Sequence, residues 1–97
     1  MDQNLRSVSA ELEKHHAQLR AFGVVQLSVF GSAARNEATQ ASDIDFLVDL
    51  EPKTFRNYMG LKLFLEDLFG CPVDLVTREG LKPLLRQEIL SEARRVA

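Results

Sequence analysis

The stretch Val29-Phe30-Gly31-Ser32-Ala33-Ala34-Arg35, followed by Asp43-Ile44-Asp45, most limits how this chain can fold. Val24 to Phe30 is β-branched and apolar and reads as a buried strand, which Gly31-Ser32 interrupts. A turn and short helix are predicted from Gly31 to about Glu37. A polar link, Thr39-Gln40-Ala41-Ser42, then leads into a second strand from Ile44 to Leu50. Gly31 has no Cβ, so the backbone there can approach a ligand closely. Ser32 opens the helix, where unpaired N–H groups and the positive dipole end favour a phosphate. Asp43 and Asp45 are two residues apart on the second strand and therefore share a face. Like charges held side by side repel, and a bound divalent cation is the usual remedy. A phosphate cradle beside metal carboxylates points to phosphoryl or nucleotidyl transfer.

The remaining elements follow from periodicity and punctuation. From about Asn4 to Phe22, apolar residues recur at three- and four-residue steps, the face of one amphipathic helix ended by Gly23. Pro52 stops the second strand, and Thr54 is placed to cap a helix that runs to about Phe69 with a wide apolar face. Gly70 and Pro72 end that helix. Pro72 to Thr77 reads as a third strand with Asp74 in its middle. Leu81 to about Arg95 reads as a last helix, with Pro83 tolerable only in its first turn. The expected class is α/β (α+β): a small mixed sheet of about three strands flanked by helices, in the order α-β-α-β-α-β-α.

Length and charge narrow the function. The 97 residues fit a single domain, residues 1–97, with 45% hydrophobic and 27% charged residues as in soluble globular proteins. A net charge of -2, with basic residues scattered among acids, argues against stable nucleic-acid binding. The one cysteine, Cys71, allows neither an internal disulfide nor a zinc cluster. No apolar run approaches a membrane span, and the polar start (Met1-Asp2-Gln3-Asn4) lacks signal-peptide character, so a cytoplasmic setting is expected.

Gly31-Ser32-Ala33-Ala34-Arg35, Ala38, then Ser42-Asp43-Ile44-Asp45-Phe46-Leu47-Val48, with Val73-Asp74-Leu75-Val76 further on, resembles the minimal nucleotidyltransferases of the DNA polymerase β superfamily. The resemblance covers nearly the whole chain and implies the nucleotidyltransferase fold. It also implies that Asp43, Asp45 and Asp74 are catalytic and hold two Mg²⁺ ions, with ATP as substrate. Asp74 would stand beside the attacking hydroxyl as metal ligand or general base. Gly31 and Ser32 would bind phosphate, and Arg35 would contact phosphate or brace an acid such as Asp43. Ser42 falls among the nucleotide-binding positions, as a cap or turn residue and not a nucleophile. The family often carries Gly after the motif arginine, where this chain has Asn36, the next most permissive residue for left-handed backbone.

A chain this short has no room for an acceptor-binding domain, so a partner is expected to bring the acceptor. Stand-alone proteins that it resembles are antitoxins of the MntA type, paired with a HEPN ribonuclease toxin in a heteromeric complex. They silence the toxin by transferring AMP to one of its tyrosines. Two alternatives stand beside that reading: a non-catalytic antitoxin acting by occlusion, and nucleotidyl transfer to a small molecule. His15, His16 and Cys71 read as packing or surface residues, and Asp49 and Glu51 as a solvated strand end.

Overall fold

The computed structural model describes residues 4–37 and 43–97. Asn4 caps the first helix, α1 (Leu5–Glu13), its side chain accepting from the Ser7 N–H at 2.9 Å. The long helix expected up to Phe22 is instead two pieces, α1 and α2 (His16–Ala21), broken at Lys14-His15. The break turns the His15 ring edge-on to Phe64, at 5.6 Å between centroids, while Val8, Leu12 and Leu19 all stay buried. Periodicity alone could not reveal it, because both pieces keep their apolar residues inward.

Gly23, at φ +80°, turns the chain into β1 (Val24–Phe30), which pairs antiparallel with β2 (Ile44–Leu50). The register runs from Val24↔Leu50 to Phe30↔Asp45 and carries a bulge between Val24 and Gln26. The extra residue, Val25, is thrown out to 60% exposure, which accounts for an apolar β-branched side chain in solvent. Thr54 caps α3 (Phe55–Phe69) through the Asn57 N–H at 3.1 Å, and the helix ends at Gly70, as expected. It leads to β3 (Val73–Thr77), parallel to β2.

A single 3₁₀ turn (Arg78–Gly80) precedes α4 (Pro83–Glu92), with Pro83 in the first turn. The expected helix to Arg95 stops at Glu92, because Arg94–Arg95 form a fourth strand, β4, antiparallel to β1. The Arg94 guanidinium donates from Nη1 to the carbonyls of Ser91, Glu92 and Ala93, at 3.2–3.3 Å, closing the helix end. The sheet therefore has four strands, in the order β3-β2-β1-β4, one more than the sequence suggested.

Strand alternation divides the sheet into two unlike faces. Leu27 and Val29, then Ile44, Phe46, Val48 and Leu50, then Val73 and Leu75 belong to one core cluster with α1, α2 and α3. The Tyr58 hydroxyl donates to the Leu75 carbonyl at 2.6 Å and ties α3 to β3. The alternate positions of β2 and β3 (Asp45, Leu47, Asp49, Asp74) lie on the opposite face. No helix of the described residues is long and apolar enough to cross a membrane.

Candidate active site

The site begins where β1 ends. Gly31 sits at φ +69°, and a Cβ there would lie 2.4 Å from Asp45 Oδ2. Only glycine lets this backbone pass so close to the carboxylate. Residues 31–36 form one turn and not the short helix expected. Asn36 stands at φ 59° and the Glu37 N–H reaches back to the Ser32 carbonyl at 2.9 Å. The Asn36 N–H reaches Ala33 at 3.2 Å, which completes a Schellman closure after a single turn. Asparagine thus fills the left-handed position as expected, and its Oδ1 also accepts from the Leu5 N–H at 2.9 Å. Glycine could not make that second link. Ala33, 1% exposed, anchors the turn in the core, and Ser32 is half-buried beside it.

Asp45 and Asp74 are direct partners in the parallel register of β2 and β3, so their side chains stand together on the face opposite the core cluster. Asp43 precedes β2 by one residue and is exposed. Asp45 is half-buried, and burial pushes its carboxyl above the usual range. The charges of Asp74, Asp43 and Glu92 push it further, while Arg35 pulls the other way. The three expected acids therefore share one electrostatic environment, and Glu92 is a fourth member that sequence reasoning missed. Its place at the end of α4, 57 residues from Arg35, leaves no signal in local spacing.

Arg35 is not bracing Asp43. Its Nε donates to Glu37 Oε2 at 3.0 Å, and its Nη1 is paired with Glu92 Oε1. Ser42 and the link before it lie outside the described residues. Asp49, expected as a solvated strand end, is held by a two-pronged pair with Arg78: Nε to Oδ1 at 3.2 Å and Nη2 to Oδ2 at 3.3 Å. That pairing separates Asp49 from Asp45, whose neighbours are mostly acids. His15 packs against Phe64, and Cys71 packs against the core, as expected of structural residues.

The donor set suits a hard divalent cation. Among the described residues, no three Asp, Glu, His or Cys side chains form a ready-made cage. Mg²⁺ seldom needs one, because one or two carboxylates with substrate phosphates and water complete its octahedron. Two carboxylates side by side, one of them destabilised in its charged form, next to a glycine turn, fit that pattern.

This two-layer fold, with paired carboxylates beside a Gly-Ser turn, is that of a nucleotidyltransferase. Residues 10–96 match the model of the nucleotidyltransferase domain, and the chain belongs to that family of enzymes. Over 90 residues it is 39% identical to the protein adenylyltransferase MntA of Thermococcus cleftensis, with 91% of each chain covered. A solved structure assigned as a minimal nucleotidyltransferase superposes with a TM-score of 0.79 at 41% identity, covering 94% of each chain. A toxin–antitoxin structure with AMP-PNP shares the fold at a TM-score of 0.71 and 21% identity, over 92% of this chain and 72% of that one.

Proposed function

We propose that the chain is a Mg²⁺-dependent protein adenylyltransferase that acts as an antitoxin. It transfers AMP from ATP to a tyrosine of a HEPN ribonuclease toxin with which it forms a complex. The observation that carries the reading is the register pairing of Asp45 with Asp74, with Gly31 closed against the Asp45 carboxylate. The adenylyltransferase name of a relative covering 91% of this chain supports the choice of AMP and of a protein acceptor.

Asp43 and Asp45 would hold two Mg²⁺ ions, which when bound supply charge neutralisation to the triphosphate and to the leaving group. The Gly31–Ser32 turn binds the β- and γ-phosphates through backbone N–H groups and the Ser32 hydroxyl. Arg35 offers further N–H donors, and Ser42 belongs to the same nucleotide-binding set. The acceptor hydroxyl approaches Asp74, which is exposed and so within reach of another protein. Asp74 takes or orients the hydroxyl proton as the oxygen bonds to the α-phosphorus. The bond from the α-phosphorus to the bridging oxygen breaks, and pyrophosphate leaves. The 97 residues act as one catalytic unit, and the use of ATP suits a cytoplasmic enzyme.

The test uses α-labelled ATP, Mg²⁺ and the product of the adjacent gene as candidate toxin. Label should appear on a toxin tyrosine and disappear with Asp43→Ala/Asp45→Ala. Toxin neutralised by that double mutant, without label, would instead establish occlusion. Label on a small molecule would overturn the protein acceptor.

A further inference from the structure

Arg35 is a cation that acts on Asp45 of the candidate site, and its placement is set from outside the Gly31–Asn36 turn. Nε is engaged by Glu37, a neighbour only two residues along, with a side chain 64% exposed. Nη1 is engaged by Glu92, whose side chain is 24% exposed and which comes from the far end of the chain. A guanidinium has five N–H donors, so two carboxylates can fix its plane and still leave donors for a phosphate oxygen.

Glu92 is itself well held. α4 contributes no buried residue of its own, and Leu84 in its first turn is 96% exposed. Its other end is secured: Arg94 closes the last carbonyls, and β4 pairs at once with Ser28 and Val29 of β1. Glu92 lies at this secured end, close enough for its charge to act on Asp45. The sheet thereby fixes the carboxylate that fixes the arginine.

We infer that Glu92 is a positioning residue for the triphosphate end of the site: from the secured end of α4 it holds the Arg35 guanidinium, and with it the turn carrying Gly31 and Ser32. The inference rests on the nucleotidyltransferase reading and deepens it. Glu92 acts through Arg35 and does not itself touch the nucleotide.

Binding is the readout, free of any transfer step. The probe is α,β-methylene-ATP with Mg²⁺, blocked at the bond that would break, titrated into the full chain by calorimetry. Glu92→Gln should weaken binding about five- to twentyfold, and Glu92→Asp should recover part of the loss. Arg35→Ala should weaken it at least as much, and the double variant Arg35→Ala/Glu92→Gln should be no weaker than Arg35→Ala alone. Arg35→Lys, which keeps the charge but not the fork, reads the same link if Glu92→Gln fails to fold, and should lose comparable affinity. Wild-type affinity in Glu92→Gln, full affinity in Arg35→Lys, or losses that simply add in the double variant would overturn the inference. If the unmodified chain binds no analogue at all, the proposed ATP-dependent transfer falls and takes this inference with it. Wild-type binding with an indifferent Glu92 removes only the role given to Glu92.

Discussion

Burial and the neighbouring acids make the charged form of Asp45 costly. Its folded carboxyl titrates above its unfolded value, so the folded protein holds that proton more readily than the unfolded chain. The ionised form therefore destabilises the metal-free fold at neutral pH, and the penalty fades as pH falls through the folded pKa toward the unfolded one. Asp45→Asn should raise the melting temperature in metal-free buffer at pH 7, modestly because the group is partly solvent-screened. The gain should shrink as the pH is lowered, and Mg²⁺ with nucleotide should stabilise the wild type but not the variant. A lower melting temperature for Asp45→Asn at pH 7 would show the site to be compensated by charges other than Arg35. Gly31 makes the complementary case in sterics. A methyl group at Gly31 would meet Asp45 Oδ2 at 2.4 Å, in a left-handed backbone that costs an L-residue about 1–2 kcal/mol. Gly31→Ala should lower unfolding free energy by about that amount and cut transfer about 100-fold or more, since displacement of a reacting group by about 1 Å can do so. Denaturant titration and initial rates would check the two effects separately.

Among the elements, those carried by local signals were legible and those decided by distant partners were not. β1, β2 and β3 stand out as short β-branched runs, and Thr54, Gly70 and Pro83 mark their helix ends by chemistry that acts within a few residues. The break at Lys14-His15 escaped because it conserves the apolar face. β4 escaped because Arg94-Arg95 continues a helical pattern, and only the free edge of β1 makes those residues a strand. From Gly31 to about Glu37 the sequence reads as a turn and short helix because Ala33-Ala34-Arg35 favour helix, whereas Asn36 closes the segment after one turn. Asn36 also links two elements, which gives a graded prediction. Asn36→Gly keeps the left-handed backbone but loses the bond to the Leu5 N–H, costing about 0.5–1.5 kcal/mol. Asn36→Ala loses the bond and adds left-handed strain, for about 1–2 kcal/mol more. Chemical denaturation should rank wild type above Asn36→Gly above Asn36→Ala. A glycine variant as stable as the wild type would mean that the bond to α1 contributes nothing.

At the scale of the molecule, one sheet face and three helices make the core, and the other face bears the carboxylates. The acids were legible because Asp43 and Asp45 stand two residues apart where β2 begins, and because Asp74 interrupts the apolar run of β3. That Asp45 and Asp74 would be register partners was not, since strand pairing joins residues distant in sequence. Glu92 was beyond reach for the same reason. The whole assembly stands or falls on whether nucleotide and metal meet at those side chains. The direct measurement is an anomalous difference map from crystals grown with Mn²⁺ and α,β-methylene-ATP. The expected map has metal peaks bridging the triphosphate to Asp43 and Asp45, one of them reaching Asp74, with the β- and γ-phosphates on the Gly31–Ser32 turn. Metal and nucleotide ordered elsewhere on the chain, with Asp45 and Asp74 uncoordinated, would contradict it.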